Sequence, residues 1–340
     1  MKRMVCLALG AALLLSGCAT REPDALAVVR LIAADSREGD VTVTAFLAPA
    51  EEEEEAKTPS GSGQTAAEAC LALTAESTNF SFLGHTEHIL VGEEMAKAGL
   101  MDLLESAVLG NTLRPDSCLW VVRDETGAAW GERAGGDESV SGLDALSGKN
   151  GAPPTAIART AAETLNDLLS YGAAVLPAVS PDGAEMEGYA VCRDGTLCGY
   201  LEGDAELGIE LLMGRTCFNA WTEEGVTMWL TSVRTAVKPC FSNGAFDGVQ
   251  ITCRVTARRA DGGQADSGQI EQARQGVEAQ LHRQLNAAVE QLQKLNADAG
   301  GLKHRAMEAA PVRARQVEES WPEALEDLNV SISVQVKSDI

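Results

Sequence analysis

Residues 269–298 read QIEQARQGVEAQLHRQLNAAVEQLQKLNAD. Their apolar side chains recur at steps of three and four, which predicts one amphipathic helix with a single buried stripe. At 1.5 Å per residue this helix would be about 45 Å long. The stripe consists of Ile270, Ala273, Val277, Leu281, Leu285, Ala288, Leu292 and Leu295.

The segments on either side of this helix have the composition of strands. Residues 226–237 and 248–257 are the longest strand candidates, and a loop containing Asn243 and Gly244 joins them. Residues 328–336 alternate apolar and polar side chains, which predicts a final strand with one buried face. The C-terminal part is therefore predicted to be α+β, with antiparallel strands, the long helix and a returning strand.

Towards the N-terminus, predicted strands and helices alternate. Residues 26–34 and 41–46 predict a β-hairpin, and residues 118–122 predict a short buried strand. Helical patterns at residues 65–76 and 156–171 lie among these strands, which is typical of an α/β layer. The predicted fold class is α+β, or mixed α/β, in a multi-domain chain. Mixed β-sheets pack with helices, and a long C-terminal helix precedes a final β-strand.

Changes in composition suggest where the units of the chain begin and end. Residues 124–154 are rich in Gly, Asp and Ser and are predicted to be an irregular connection. Charged and small residues between 50 and 63 predict a flexible acidic loop. The predicted division is a signal peptide (1–17), a tether (18–25), an N-terminal α/β domain (26–123), a middle domain (124–215) and a C-terminal α+β domain (216–340).

The charge of the chain excludes one class of function. Among its 340 residues, 50 acidic side chains outnumber 27 basic ones, giving a net charge of −23. Such a surface repels nucleic-acid backbones, so we expect no nucleic-acid partner. The same charge predicts that the folded part stands off an anionic membrane surface.

The first residues predict export and lipid modification. Lys2 and Arg3 precede an apolar stretch at residues 5–15, which is too short to span a bilayer but suits a secretory signal. The segment Leu15-Ser16-Gly17-Cys18 has the small residues that precede a lipid-modified cysteine in bacterial lipoproteins. We therefore expect a signal peptide ending at Gly17, and an S-diacylglycerol thioether with N-acylation, such as palmitate, at Cys18. An ordinary signal peptide, or a buried apolar terminus, is the alternative.

Export also affects how the other cysteines are interpreted. Seven cysteines remain after Cys6 and Cys18, so at least one is free or pairs between chains. Cys192 and Cys198 flank Asp194-Gly195, a hairpin turn signal that places them on adjacent strands, where a disulfide is feasible. Two small buried thiols are the alternative.

Few residues suggest catalysis or metal binding. His85 and His88 form an H-x-x-H pair, for which capping or surface positions are the favoured interpretation. Acidic pairs such as Glu93-Glu94 are expected to begin helices or face solvent. The sequence has no nucleophile elbow, P-loop or dinucleotide fingerprint, so we expect no enzyme activity, no cofactor and no metal.

The order of segments resembles the Ger(x)C family, the lipoprotein C subunits of spore germinant receptors. The similar segments run from Gly63 to Val122, through Gly84-His85 and Gly99-Leu100. The C-terminal part matches through Gly199-Tyr200-Leu201, then Leu292-Gln293-Lys294, Asp298, Gly300-Gly301 and Trp321. Ala19-Thr20 replaces the Trp-Asp that often follows the lipidated cysteine, and the chain runs on to Ile340, whereas members often stop shortly after a glycine.

This resemblance implies a non-enzymatic lipoprotein on the outer face of the inner spore membrane of a Gram-positive spore former. It would act with polytopic membrane subunits of a germinant receptor in nutrient-triggered spore germination. From the family's sites, only Cys18 carries over to this sequence. The alternative function is a lipid-anchored extracytoplasmic solute-binding protein, which would need two similar α/β lobes around a cleft. An envelope hydrolase is a third possibility.

Overall fold

The computed structural model describes residues 26–47, 58–76, 80–110, 112–134, 136–215, 220–223, 225–260 and 265–339. The predicted signal peptide, Cys18, the acidic run Glu51–Glu55 and Cys217 lie outside these residues. None of the helices in the described ranges is long and apolar enough to cross a membrane.

The described strands form three sheets. Their bounds are β1 (Leu26–Val28), β2 (Leu31–Arg37), β3 (Asp40–Phe46), β4 (Ser60–Gly63), β5 (Phe80–Phe82), β6 (His88–Gly92), β7 (Cys118–Val122), β8 (Arg159–Thr160), β9 (Ala173–Val179), β10 (Met186–Arg193), β11 (Thr196–Leu201), β12 (Ala220–Glu223), β13 (Val226–Ser242), β14 (Ala245–Arg259) and β15 (Val330–Asp339).

The helices lie between these strands. Their bounds are α1 (Ala66–Glu76), α2 (Glu93–Ala98), α3 (Met101–Val108), α4 (Gly127–Ala134), α5 (Gly136–Ser147), α6 (Ala161–Tyr171), α7 (Asp204–Leu212), α8 (Ser267–Lys294), α9 (Leu302–Ala309) and α10 (Ala314–Glu319).

The first large sheet has nine strands in the order β11-β10-β9-β7-β6-β2-β3-β4, with β8 beside β7. Strands β2, β6, β7 and β9 are parallel, and the outer strands are antiparallel. Helices cover both faces of the parallel region, with α1, α3 and α6 packed on one side and α4 and α5 on the other. This explains why every residue of β7 and β9 is buried. The small sheet pairs β1 with β5.

The predicted N-terminal hairpin is confirmed. Strands β2 and β3 pair antiparallel, from Leu31 with Phe46 to Arg37 with Asp40. The two turn residues, Glu38 and Gly39, both have positive φ, which is typical of the tight turn that joins two strands with right-handed twist.

Two segments predicted to be irregular are regular in the structure. In place of a flexible loop, residues 60–63 form β4, where an added Cβ on Gly61 would lie 2.1 Å from the Leu73 nitrogen of α1. In place of an irregular connection at 124–154, the chain forms α4 and α5. Tertiary contacts override the local composition here, since Asp35 caps α4 and Trp130 is buried.

The second large sheet has the order β12-β13-β14-β15, and α8 packs on one face of it. A capping box between Asp266 and Gln269 begins α8. The predicted apolar stripe is confirmed, because Ala273, Val277, Leu281, Leu285, Ala288 and Leu292 are all buried. The final strand β15 lies parallel to β14, so α8 forms the crossover of a β-α-β unit. The predicted fold class is confirmed.

One continuous core links the two large sheets. Tyr189 and Leu201 of the first sheet belong to the same apolar cluster as Leu281 of α8 and Val255 of β14. Helices α7 and α8 approach closely at Gly208, where an added Cβ would lie 1.9 Å from the Gln284 carbonyl oxygen. The first large sheet takes strands from both sides of residue 124. The predicted division into three units stays a prediction.

Candidate functional site

A cavity of about 460 Å³ opens between one edge of the first large sheet and the segments that follow α8. Its walls come from the end of α6, the β10–β11 turn, the segment after α8, and α9. The side chains that define it are Tyr171, Arg193, Asp194, Lys303, His304 and Trp321. Both signs of charge therefore line the rim, which suits a small polar ligand better than an apolar one.

Tyr171 and Gly301 shape one wall of this cavity. Helix α6 ends at Gly172, which adopts the left-handed conformation with φ 72°. The Tyr171 ring lies over Gly301, where an added Cβ would be 3.1 Å from the ring. The His304 ring stands 5.4 Å from the Tyr171 ring, centroid to centroid. Gly301 also has a positive φ, so both its conformation and its contact favour glycine.

Arg193 joins the first sheet to the end of α8. Its Nη1 donates to the carbonyl oxygens of Leu295 at 3.1 Å and Asn296 at 3.4 Å. The Asn296 side-chain oxygen in turn accepts from the Leu325 N–H at 2.7 Å. The cavity floor is thus held by hydrogen bonds between segments that are far apart in sequence.

Asp298 and Arg305 fix α9 beneath the cavity. Asp298 accepts from the N–H groups of Leu302 at 2.6 Å and Lys303 at 2.9 Å, which caps the helix. Burial raises the pKa of Asp298 to about 6, although both N–H groups and Arg305 favour its charged form. Arg305 donates to the carbonyl oxygens of Leu212 and Thr235, and burial lowers its pKa.

A second polar cluster is built around His88, in the middle of the first sheet. The His88 side chain is fully buried on β6, which contradicts the predicted capping or surface position. His85 is exposed in a 3-10 turn (Leu83–His85), so the H-x-x-H pair does not lie on a helix. His88 is buried because Asp144 and Trp120, from α5 and β7, supply a hydrogen bond to each ring nitrogen.

These hydrogen bonds determine the tautomer of His88. The Trp120 indole only donates, so Nδ1 of His88 accepts its hydrogen bond at 3.0 Å. The proton therefore sits on Nε2, which donates to Asp144 at 2.9 Å. Burial lowers the pKa of His88 to about 4, more than the hydrogen bond to Asp144 raises it. His88 is thus a neutral structural residue near neutral pH.

Glu87, His88 and Asp144 have the atom spacing of a metal-ligand group, within 4.8 Å of one another. Arg30 already pairs with both carboxylates, since it binds Glu87 through Nε at 3.1 Å and Nη2 at 2.8 Å, and Asp144 at 3.3 Å. A metal ion would have to displace the Arg30 guanidinium. The donor set is therefore better explained as a network of ion pairs.

Glu93 and Glu94 begin α2, as predicted for an acidic pair. They line a cavity of about 330 Å³ at the carboxyl ends of β2, β6 and β7. Lys97 forms ion pairs with both, and Glu93 accepts from the Asp124 N–H at 2.5 Å. Glu93 and Glu94 therefore have a structural role: they begin the helix and hold Lys97 and the backbone of Asp124 in place.

Cys192 and Cys198 are both free thiols in the structure. A register shift between Val191 and Cys192 pairs Cys192 with Leu197 instead. The Cys198 thiol donates to the Val191 carbonyl at 3.3 Å. Burial raises the pKa of Cys192 to about 12, which makes it an inert core residue.

Comparisons with known proteins agree with this fold. The family model for the spore germination protein N-terminal domain matches residues 19–181. The model described as "Spore germination B3/ GerAC like, C-terminal" matches residues 187–339. A solved structure titled "Crystal Structure of the GerBC protein" is similar with a TM-score of 0.57 and 17% identity, covering 91% of this chain and 97% of that chain. No curated protein matches the sequence.

A mixed α+β chain with these two matched regions is a spore germination protein of the GerAC type. It belongs to the Ger(x)C family, the C subunits of germinant receptors. The family segments quoted from the sequence now have a structural reason. Asp298 and Gly301 both hold the joint between α8 and α9, one as a helix cap and the other beneath Tyr171.

The sequence pattern did not reveal Tyr171, Arg193 or Arg305 as parts of this joint. Their partners are carbonyl groups and a glycine far along the chain. The one usable signal was Gly300-Gly301, which follows Asp298 after a single alanine, since paired glycines after a long helix indicate a close approach of two segments.

Proposed function

We propose that this chain is a non-enzymatic, lipid-anchored subunit of a spore germinant receptor that acts with polytopic membrane subunits in nutrient-triggered germination. Membership of the Ger(x)C family over both matched regions is the observation that carries the proposal. The GerBC structure supports it at the level of fold. The protein would be held on the outer face of the inner spore membrane.

The anchor is proposed at Cys18, at the end of the Leu15-Ser16-Gly17-Cys18 segment. Two or more acyl chains give lasting membrane attachment without a spanning helix. Leu26, where the first described strand begins, is eight positions further on. Such a tether reaches at most about 28 Å when fully extended, so the folded part would stay close to the bilayer.

Replacement of the proposed lipidated cysteine tests this function. We expect Cys18→Ala to move the protein from the membrane fraction to the soluble fraction of spores and to slow the response to nutrients. Cys198→Ala is the matched control, because it also removes one thiol but leaves the anchor in place. Membrane retention together with a normal nutrient response in Cys18→Ala spores would contradict the proposal.

Association with membrane subunits is tested by a second experiment. We expect the tagged chain to co-purify, after detergent solubilisation of spore membranes, with two polytopic membrane proteins encoded beside it. Recovery of a transporter in place of such subunits would favour the alternative, a solute-binding protein. That alternative predicts two similar lobes, whereas the described large sheets have nine and four strands.

A further inference from the structure

The outer face of the second large sheet is basic in an otherwise acidic protein. The inner face packs on α7, α8 and α9 through Val233, Val237, Ile251, Val255 and Val334, among others. The alternate positions point away from these helices. They carry five exposed cations: Arg234 and Lys238 of β13, Arg254 and Arg258 of β14, and Lys337 of β15. We call these residues the basic face.

The strand register places these cations side by side. Arg234 lies directly opposite Arg254. Thr256 pairs with Lys337, and Lys238 pairs with Gln250. Asp247 is an exposed acidic residue of β14, and it lies beside the bulge at the Asn243-Gly244 end of the sheet. A net positive surface therefore covers three adjacent strands.

These cations also lack partners within the protein. Among the described residues, none of the five has an ion pair or a side-chain hydrogen bond. Elsewhere, basic side chains are used internally: Arg30, Lys97, Arg123 and Arg274 all pair with acidic neighbours. In a chain with 50 acidic and 27 basic residues, a patch of unpaired cations is left free for an external anion.

One pair on the basic face opposes stability. Like charges directly across two strands repel, and Arg234 and Arg254 occupy such positions. Packing does not require either guanidinium, because both side chains are exposed. The repulsion is relieved when an anionic surface covers the pair.

We propose that the basic face binds the anionic headgroups of a phospholipid surface. The cations are spread over a plane and do not converge on one point, so they match an array of separate phosphates. The positions between them hold mostly small or polar side chains, including Ser232, Ala236, Thr252 and Ser333, and a large aromatic side chain, Trp229, lies at one end opposite Arg258. A stable protein interface has a central cluster of large apolar or aromatic anchors, which a tryptophan at the edge of the face does not provide.

This assignment goes beyond the lipid anchor and does not depend on it. The acidic net charge predicts that the folded part stands off the membrane, but the charge is unevenly distributed. With the basic face towards the bilayer, the acidic remainder would face away from it. The tether would then set the distance, and the basic face would set the orientation.

The test uses the unlipidated chain from Ala19 onward, which contains every described residue. We expect it to float with vesicles containing about one-third phosphatidylglycerol at low salt, and not with pure phosphatidylcholine vesicles. About 0.5 M salt should abolish binding, because exposed charges are then screened. Failure to bind anionic vesicles at low salt would overturn the assignment while leaving the proposed anchor at Cys18 untouched.

Matched variants separate the basic face from net charge. Each cation near an anionic surface strengthens binding about fivefold, so Arg234→Gln, Arg254→Gln and Lys337→Gln together should weaken binding about 100-fold. Arg37→Gln, Arg283→Gln and Lys294→Gln remove the same charge from exposed positions elsewhere and should change binding by less than about fivefold. Equal losses in both triple variants would overturn the assignment.

A third arm distinguishes a lipid surface from an acidic protein segment. Retention of the wild-type chain by an immobilised polyglutamate peptide, without vesicle binding, would replace the lipid assignment with a protein partner. All six substituted side chains are exposed, so we expect both triple variants to fold. Their thermal unfolding is measured to check this. We expect vesicle binding to be the stronger interaction.

Discussion

Trp120 donates its indole N–H to Nδ1 of His88 across 3.0 Å, so the buried imidazole can gain a second proton only by breaking this hydrogen bond. Burial already lowers the pKa of His88 to about 4. Between pH 6.5 and 4, His88 becomes protonated in the unfolded state but stays neutral in the folded state. Over that range the folded state therefore loses stability as the pH falls, by about 3 kcal/mol in total.

We expect His88→Gln to remove this pH dependence. The free energy of unfolding should be lower than that of the wild type at pH 7, because the buried contacts are disturbed. The difference between the two proteins should shrink as the pH falls to 4. Urea unfolding at several pH values measures this, and a constant difference would contradict the buried neutral histidine.

Asp298 should make the free energy of unfolding depend on pH in the opposite direction. Its pKa is raised to about 6 by burial, so between pH 4 and 6 the unfolded carboxyl loses a proton that the folded one retains. The folded state therefore loses about 3 kcal/mol of stability as the pH rises through this range. In the wild-type protein the contributions of His88 and Asp298 oppose each other over the same interval.

The variant Asp298→Asn removes the Asp298 contribution, so that the pH dependence caused by His88 can be measured alone. Asparagine retains the helix cap and does not titrate. We expect the free energy of unfolding of this variant to rise more steeply from pH 4 to 6 than that of the wild type. The same urea titrations provide the measurement. An unchanged slope would show that Asp298 is ionised throughout this range in the folded protein.

The contact between Gly301 and Tyr171 predicts a destabilising substitution. Gly301→Ala should cost about 1 kcal/mol for the left-handed backbone and about 1–2 kcal/mol more for the clash with the ring. Gly172→Ala is the control, because its φ is also positive but the nearest atom to an added Cβ is 3.6 Å away. If thermal unfolding showed the same loss of stability in Gly301→Ala and Gly172→Ala, the clash with the Tyr171 ring would be ruled out as a cause.

The Arg234–Arg254 pair predicts a stabilising substitution. Arg254→Thr removes a like-charge contact and introduces a residue with high β propensity, so we expect a gain of about 0.5 kcal/mol. Arg234→Thr should give a similar gain, and the double variant should gain less than the sum. Additive effects in chemical unfolding would show that the two guanidinium groups do not interact.

The regular patterns in the sequence predicted the elements that depend on local information. The three-and-four spacing from Ile270 to Leu295 located α8, and the alternation around Val334 located β15. The hairpin of β2 and β3 followed from apolar runs on either side of a turn. In each case the buried face is determined by the segment's own periodicity.

The elements that sequence reasoning missed depend on distant partners. Helix α4 starts where Asp35 accepts the N–H of Gly127, 92 positions away. His88 is buried because Asp144 and Trp120 lie 56 and 32 positions from it and satisfy its ring nitrogens. The basic face was hidden for a related reason, since net charge averages over the surface and only the register shows which cations are neighbours.

The parallel pairing of β14 with β15 has a consequence for how the protein is made. Val249 pairs with Val330, so one edge of the β13–β14 hairpin stays uncovered until the crossover helix and β15 have left the ribosome. Such non-local pairing is slow, and an open strand edge invites association between nascent chains. Late closure of this sheet would delay compaction of the nascent chain, which would suit the export that we propose for it.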